Sequence, residues 1–441
     1  MRPRERRDSG QTDMFRSRLD QIINMKHPMV QLAHTIDWAH LEKTFGAVYS
    51  DSAAGGQPPL PTRLMAGLTI LKHTENLSDE DLVERWVRDP YYQYFCGEEF
   101  FQHEAVFDRS SLTRWRQRMG EDKLVVLLQE SLRVAHSEGA LATRDLQRVA
   151  VDTTVQPKNI AHPTDHRLLW KAIEKLAALA KRENVPLRQS YQRVSKTACI
   201  MAGRYIHAKQ FKRARRQVKF LRTRLGRVIR DIRRKIDGNA ALENKFHDLL
   251  MLAARVKSQE YRQRGQKVFA LHAPEVECIG KGKARTPYEF GCKVSVVTPI
   301  TKPKGGQFVL HAEAHHGNPF DGHTLGSVLA NLEQRTGLAV ERGHVDRGYK
   351  GHNYRNKFKI WITGQVRRVT ATIKREMKRR AAIEPTIGHM KNEHRMDRNY
   401  LHHRSGDRIN AVLAAVGFNF HLLLRWFADF LCLFWGELLL A

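Results

Sequence analysis

Between Lys209 and Lys235, thirteen of 27 residues are Lys or Arg, and Asp231 is the sole acid. Through this charge runs an apolar series, Val218, Leu221, Leu225, Val228, Ile232 and Ile236, spaced three and four residues apart. Only an α-helix gathers such a series on one face. The segment amounts to about 40 Å of helix at 1.5 Å per residue, packed along one side and cationic on the others. A charge run is most often a solvated face. Here thirteen cations against one acid leave +12, which repels itself along the rod unless an anion lies alongside. Lys212, Arg213, Arg216, Arg222, Arg227, Arg230 and Arg234 are therefore read as contacts to a nucleic-acid backbone.

The same imbalance holds for the whole chain. Its 75 Lys and Arg outnumber 46 Asp and Glu, for a formal charge of +29 and a pI near 10.2, which calls for a polyanionic partner. Nucleic acid comes first, with a ribosomal site or an anionic membrane surface as alternatives. At 441 residues and 41% hydrophobic, the chain has material for two or three domains with sizeable cores. The opening Met1-Arg2-Pro3-Arg4-Glu5-Arg6-Arg7 is basic but leads into no apolar signal core. The one strongly apolar stretch, Ile409 to Leu424, is interrupted by Asn410, Asn419 and His421 and is shorter than the ~20 residues of a membrane span. It reads as a buried helix packed under a sheet, with no membrane as partner. Five scattered cysteines (Cys96, Cys199, Cys278, Cys292, Cys432) have neither disulfide-framework nor zinc-ligand spacing, so a reducing compartment is expected.

Residues 1–28 are polar and read as a flexible basic arm, and Ala53 to Pro59 as a loop. A helical N-terminal domain is expected over 29–140. It holds a helix over Thr62–His73, a capping box at Ser78-Asp79-Glu80-Asp81, and a helix over Arg109–Met119 that buries Leu112, Trp115 and Met119. Arg114, Arg116 and Arg118 fall on that last helix's other faces. Two readings stand: a helix-turn-helix-like DNA reader, or a bundle with a solvated face. Gln147–Asp152 reads as a short buried strand ending at its acid. Residues 167–266 form a basic helical insertion. From Lys267 the pattern turns to strands at Val268–Leu271, Tyr288–Thr298, Gln307–Ala314, Val340–Asp346 and Ile360–Ile362. A helix over Thr324–Arg335, capped by Asp321, interrupts them, and helices over Ile373–Asp397 and Arg408–Leu433 follow. The fold class is α/β, with 145–166 and 267–441 forming one domain around the insertion.

Three acids stand out in this basic background: Asp152, Asp346 and Glu384. Asp152 and Asp346 each follow an apolar strand, and neighbouring strands ending at one sheet edge would bring them together. Phosphodiester cleavage needs an activated water and charge neutralised on the attacked phosphate and the leaving oxygen. Two divalent cations supply both, and hard cations take carboxylate oxygens. Arg380, Glu384 and Lys391 fall at 0, +4 and +11, close to one helical stripe, so two cations suited to phosphates flank the third acid. Pro385 requires a kink or restart of the helix beside Glu384.

At these residues the chain resembles bacterial insertion-sequence transposases of the DDE superfamily, in particular the insertion sequence 5 family. The likeness lies in Val151–Gln156 with Pro163-Thr164-Asp165, in Asp346–Gly351, in Arg380-x3-Glu384-x6-Lys391, in Thr286–Gly291 and in Asp89–Gly97. It spans roughly residues 25–430. Met377 departs from the signature, which carries a tyrosine three residues before the arginine. The resemblance implies an RNase H-like catalytic core, a mixed five-stranded sheet with helices, carrying the large helical insertion after its first strand, plus the all-α N-terminal domain. It implies two Mg2+ or Mn2+ ions on Asp152, Asp346 and Glu384, with Arg380 and Lys391 on the element's terminal DNA. It further implies terminal inverted repeats and target DNA as partners, at least a homodimer, and a nucleoid-associated place in the bacterial cytoplasm. The activity expected is hydrolysis at the element's ends followed by joining of the 3′-hydroxyl to target DNA. An inactive or repurposed DNA-binding derivative is the alternative. A zinc nuclease built on His311, His315, His316, His344 and His352 lacks ligand spacing, and a structural RNA-binding protein leaves the three acids unexplained.

Overall fold

The computed structural model describes residues 17–49, 59–260, 263, 265, 267–280 and 287–438. The chain divides into two compact units, Met1–Pro157 with Cys292–Ala441, and Lys158–Gly291.

The first unit opens with helices α1 (Leu19–Ile22), α2 (Pro28–Thr35), α3 (Trp38–Gly46), α4 (Thr62–Thr74), α5 (Asp79–Arg88), α6 (Pro90–Phe95) and α7 (Arg109–Ser137). The capping box expected at Ser78 is present: its hydroxyl accepts from the Asp81 N–H, and the Asp81 carboxylate accepts from the Ser78 N–H. The helix over Arg109 runs on past Met119 to Ser137, broken only at Gly120, whose φ of 67° no helix interior adopts. A short α8 (Thr143–Gln147) leads into β1 (Arg148–Pro157). The second unit then contributes α9 (Asp165–Arg182), α10 (Gln192–His207), α11 (Phe211–Ile236), α12 (Ala240–Ser258) and β2 (Glu277–Gly280). β3 (Tyr288–Pro299) returns the chain to the first unit. It is followed by β4 (His311–His315), α13 (Asp321–Thr336), β5 (Arg342–Val345), β6 (Ile360–Ile362), α14 (Ala371–Arg379), a 3-10 turn at Arg380–Ala382, α15 (Ile383–Glu393) and α16 (His403–Leu438).

This is a mixed α/β fold. β1 lies between β3 and β5, β6 lies beyond β5, and β4 pairs with β3. β5 is parallel to β1 and β6 to β5, whereas β4 is antiparallel to β3. Ile300 donates to Arg148 O and Lys158 to Phe290 O, a pairing that advances along β1 as it retreats along β3, so these two are antiparallel. In the second unit β2 pairs antiparallel with the first four residues of β3.

One apolar core runs from the N-terminal helices through the sheet to α13 and α16. α16 packs against α7, α4, β4 and α2. By length and composition its stretch His403–Asp429 is able to cross a membrane, yet 67% of its most apolar window is buried within the protein. The crossing with α4 is backbone-close: a Cβ on Gly417 would stand 2.3 Å from the His73 carbonyl oxygen. Two of its buried polar residues are engaged inside. Asn419 donates to Ser131 and Val309 O and accepts from the Val309 N–H, and Asn410 donates to Gln156 and Arg395 O. In the second unit Leu221, Leu225, Val228, Ile232 and Ile236 of α11 are buried against α9, α10 and α12, with Val218 at the margin, so the apolar stripe packs as its spacing requires.

Several local expectations give way. Val268–Leu271 is not a strand, because the Gln259 side-chain amide satisfies both the N–H and the C=O of Val268. The strand in that region is β2, which the sequence reading passed over. Asp321 does not cap α13: it is the first helical residue, after Phe320, and its carboxylate pairs with Lys293 at 2.9 Å. Residues 17–28 of the expected arm are structured, with Leu19 fully buried and Arg18 bridging to Phe100, although Ile22 and Met25 stay exposed. Residues 1–16 of that arm, most of the Ala53–Pro59 loop and Thr286 lie outside the described residues.

Candidate functional site

β1 does not stop at Asp152 but continues five residues to Pro157, which places the acid inside the central strand. The ladder to β5 pairs Arg148 with Arg342, Val149 with Gly343 and Ala150 with His344. Two steps further, 152 falls opposite 346. Neighbouring strands lie about 4.8 Å apart and every second side chain shares a face, so Asp152 and Asp346 project side by side. Asp346 sits just past β5, where its carboxylate accepts from the Gly348 N–H at 2.8 Å and starts the 3-10 turn Arg347–Tyr349.

Glu384 reaches this edge from α15. Ile383 packs on Ala150 and Ile300, beside β1. α14 is held by Arg379, which donates to Ile300 O and Thr301 O, and by Glu376, which takes Arg342 at 3.0 Å and His344 at 3.1 Å. The proline constraint is met by a restart. α14 ends at Arg379, the 3-10 turn intervenes, and Pro385 falls in the first turn of α15, where its missing N–H costs no helical bond. Arg380 links the acids: Nη1 lies 3.2 Å from Asp152 Oδ2 and Nη2 lies 3.4 Å from Glu384 Oε1. The Glu384 side chain is 63% exposed and that of Asp152 19%. Lys391 stands two helical turns beyond Glu384 on α15, half-buried.

Burial pushes the Asp152 carboxyl up to about 6, and neighbouring Asp346 adds to this, against the opposing pull of the Thr153 N–H and Arg380. A buried carboxylate beside a second one, with oxygen donors only, fits a hard divalent cation. Among the described residues no three His, Cys, Asp or Glu side chains meet closely enough to hold a metal ion. Glu384 instead joins through the Arg380 guanidinium, which contacts both Asp152 and Glu384.

The structure adds residues that the sequence reading did not single out. Tyr349 is buried and its hydroxyl hydrogen-bonds Thr153 Oγ1 at 2.8 Å; burial, and then the charges of Asp152, Asp321 and Asp346, hold that hydroxyl well above its ordinary pKa. Asp321, paired with Lys293, therefore belongs to the same acidic neighbourhood. Glu376 also pairs with His344, whose pKa burial lowers against the opposing pull of Glu376. Tyr349 was visible inside the Asp346–Gly351 motif, whereas Asp321 and Glu376 carry no spacing signal.

The expected DNA contacts divide. Arg114 and Arg118 are exposed on α7. Arg116 is not on an exposed face as its spacing suggested: it is buried and paired with Asp79 at 3.2 Å, because α5 covers that side of α7. On α11, Lys212, Arg213, Arg216, Arg227, Arg230 and Arg234 are exposed, whereas Arg222 is half-buried and donates to Gln259 O. Arg227, Arg230 and Arg234 line a cavity of about 520 Å³ in the second unit, together with Arg188 and Tyr191.

Residues 17–118 match a family described as a transposase domain (DUF772). A Rhizobium meliloti protein, "Uncharacterized protein ORF8 in nfe locus", is 52% identical over 211 residues, 48% of this chain and all of that protein. Together these matches support a transposase-related protein. The domain match covers α1 to the first part of α7 and ends before all three acids. No solved structure matches this transposase-related chain.

Proposed function

We propose that this chain is a transposase of the DDE superfamily, insertion sequence 5 family. It binds the terminal inverted repeats of a mobile element as double-stranded DNA, hydrolyses phosphodiester bonds at its ends and joins the 3′-hydroxyl to target DNA. The observation that carries this reading is the β1–β5 register, which sets Asp152 opposite Asp346, with Arg380 bridging Asp152 to Glu384. A central strand flanked by one antiparallel and one parallel neighbour, with a helical unit inserted after it, supports an RNase H-like core.

Asp152 and Asp346 would hold the divalent cations, two Mg2+ or Mn2+ ions on this reading, and Glu384 would join them once Arg380 releases the carboxylates. When bound, such paired cations activate water and neutralise the attacked phosphate and the leaving oxygen. The chain's own groups do the rest. Arg380 presents a planar guanidinium at the same edge, a shape suited to two phosphate oxygens, and offsets repulsion between the carboxylates and incoming DNA. Lys391 adds a point charge further along α15. The Glu376–His344–Arg342 contacts fix α14 and so aim Arg380. The exposed cations of α11 hold DNA backbone as well, and the working form is a homodimer or larger in the bacterial cytoplasm.

The test is cleavage of duplex carrying the element's termini by the full chain and by Asp346→Asn, with Mg2+. Cutting falls by at least a thousandfold while duplex binding persists. Undiminished cutting by the variant defeats the proposal, and binding without cutting by the unaltered chain points to the DNA-binding derivative.

A further inference from the structure

The first unit contains a cavity of about 860 Å³ away from the three acids, bordered by α4, α5, α7 and the segment between α15 and α16. On its floor Asp79 is shared by two cations: the Lys72 ammonium, and Arg116 at 3.2 Å. Arg395 and Arg398 stand at its rim. Four cations thus face two acids, and the second acid, Glu80, is turned toward Arg109 at 3.2 Å. Burying two cations on one carboxylate leaves a surplus positive charge that only an anion offsets well. Two floor groups are also incompletely paired. Arg116 is 3% exposed and His73 2%, and among the described residues Arg116 Nε and His73 Nδ1 are buried without a hydrogen-bond partner. A buried guanidinium N–H such as Arg116 Nε rarely stays unpaired unless something not yet bound completes it.

The cavity's place in the fold says which anion. Asn410, in its lining, donates to Gln156 near the end of β1. Gln156 lies four residues beyond Asp152, a span of about 13 Å at 3.3 Å per residue. That equals about four nucleotides of one DNA strand at 3.4 Å each. We infer that this cavity is a phosphodiester-binding subsite for the DNA strand, about four nucleotides from the bond that is cut, with Arg116 and Lys72 at its base and Arg398 at its mouth. The inference rests on the reading of the chain as a DNA-cutting transposase.

Two arms test it on the full chain. In the first, inorganic phosphate is titrated against chloride at matched ionic strength, and thermal midpoints report binding to the folded state. Phosphate raises the midpoint of the unaltered protein. Arg398→Gln, a change at an exposed side chain, and Arg116→Lys, which keeps the charge beside Asp79 but loses the fork, each weaken the apparent affinity at least threefold. In the second, duplexes carry a single uncharged methylphosphonate placed two to six nucleotides from the cut. One placement, near four, weakens binding to the unaltered protein and has no further effect on Arg398→Gln, as a shared contact requires. Equal phosphate responses in the unaltered protein and both variants, or losses that simply add at every placement, overturn the subsite. The phosphate arm involves no cutting, so it can hold even if Asp346→Asn cuts normally and the catalytic reading falls.

Discussion

Replacing Asp152 by Asn removes a group that the folded protein holds against its preference. The carboxyl ionises near 6 in the fold against an ordinary 3.8, the main cause being burial. At about 1.36 kcal/mol per pH unit, the difference of 2.2 opposes ionisation by about 3 kcal/mol at neutral pH. The sign follows from proton binding. Between about 3.8 and 6 the folded state holds a proton that the unfolded chain has released, so stability falls as pH rises across that window and is flat above it. Asn cannot ionise and escapes the loss, while Arg380 keeps Glu384 as its partner. The variant is therefore more stable than the unaltered protein at pH 8, by up to about 3 kcal/mol, and the gap closes as pH falls to 4. Urea unfolding followed by tryptophan fluorescence at both pH values measures it. Saturating Mg2+ at pH 8 narrows the gap from the other side, since a cation on Asp152 stabilises only the unaltered fold. A variant that is equally or less stable at pH 8 without Mg2+ refutes the reasoning, because Asp152 would then not be a strained carboxyl.

Two other perturbations have defined outcomes. Gly417→Ala drives a methyl into the His73 carbonyl, a backbone atom that also accepts a hydrogen bond from His394 at 2.9 Å; neither helix yields cheaply, and unfolding shows a loss of about 2–3 kcal/mol. Neutralising Arg227, Arg230 and Arg234 to Gln together lowers the slope of log affinity for duplex DNA against log salt by up to about 2.7, at about 0.9 per phosphate contact. An unchanged slope in filter binding places the DNA elsewhere.

What could be read in the sequence was whatever has a period. The stripe on α11, the buried Leu112, Trp115 and Met119, and the strands at Tyr288 and Ile360 all follow from spacing, because packing selects apolar residues at fixed intervals. The pairing of Asp152 with Asp346 needed the register of two strands nearly two hundred residues apart, which no local pattern encodes. Arg116 shows the opposite failure. It occupies a polar position by pattern, yet α5 closes over it and Asp79 supplies its counter-charge, so a residue expected at the surface lies in the interior. Asp321 and Glu376 are legible only through the partners that tertiary structure brings to them, Lys293 for one and His344 with Arg342 for the other.

The long helix α16 is made after α2, α4, α7 and β4, the elements it packs against. Until it leaves the ribosome, α2, α4, α7 and β4 present an open apolar trench with nothing to fill it. The nascent chain must therefore wait half-assembled until that apolar segment arrives. Synthesis order thus makes α16 a checkpoint: a ribosome stalled upstream of it leaves a product that is sticky and bound for clearance, rather than a smaller working protein.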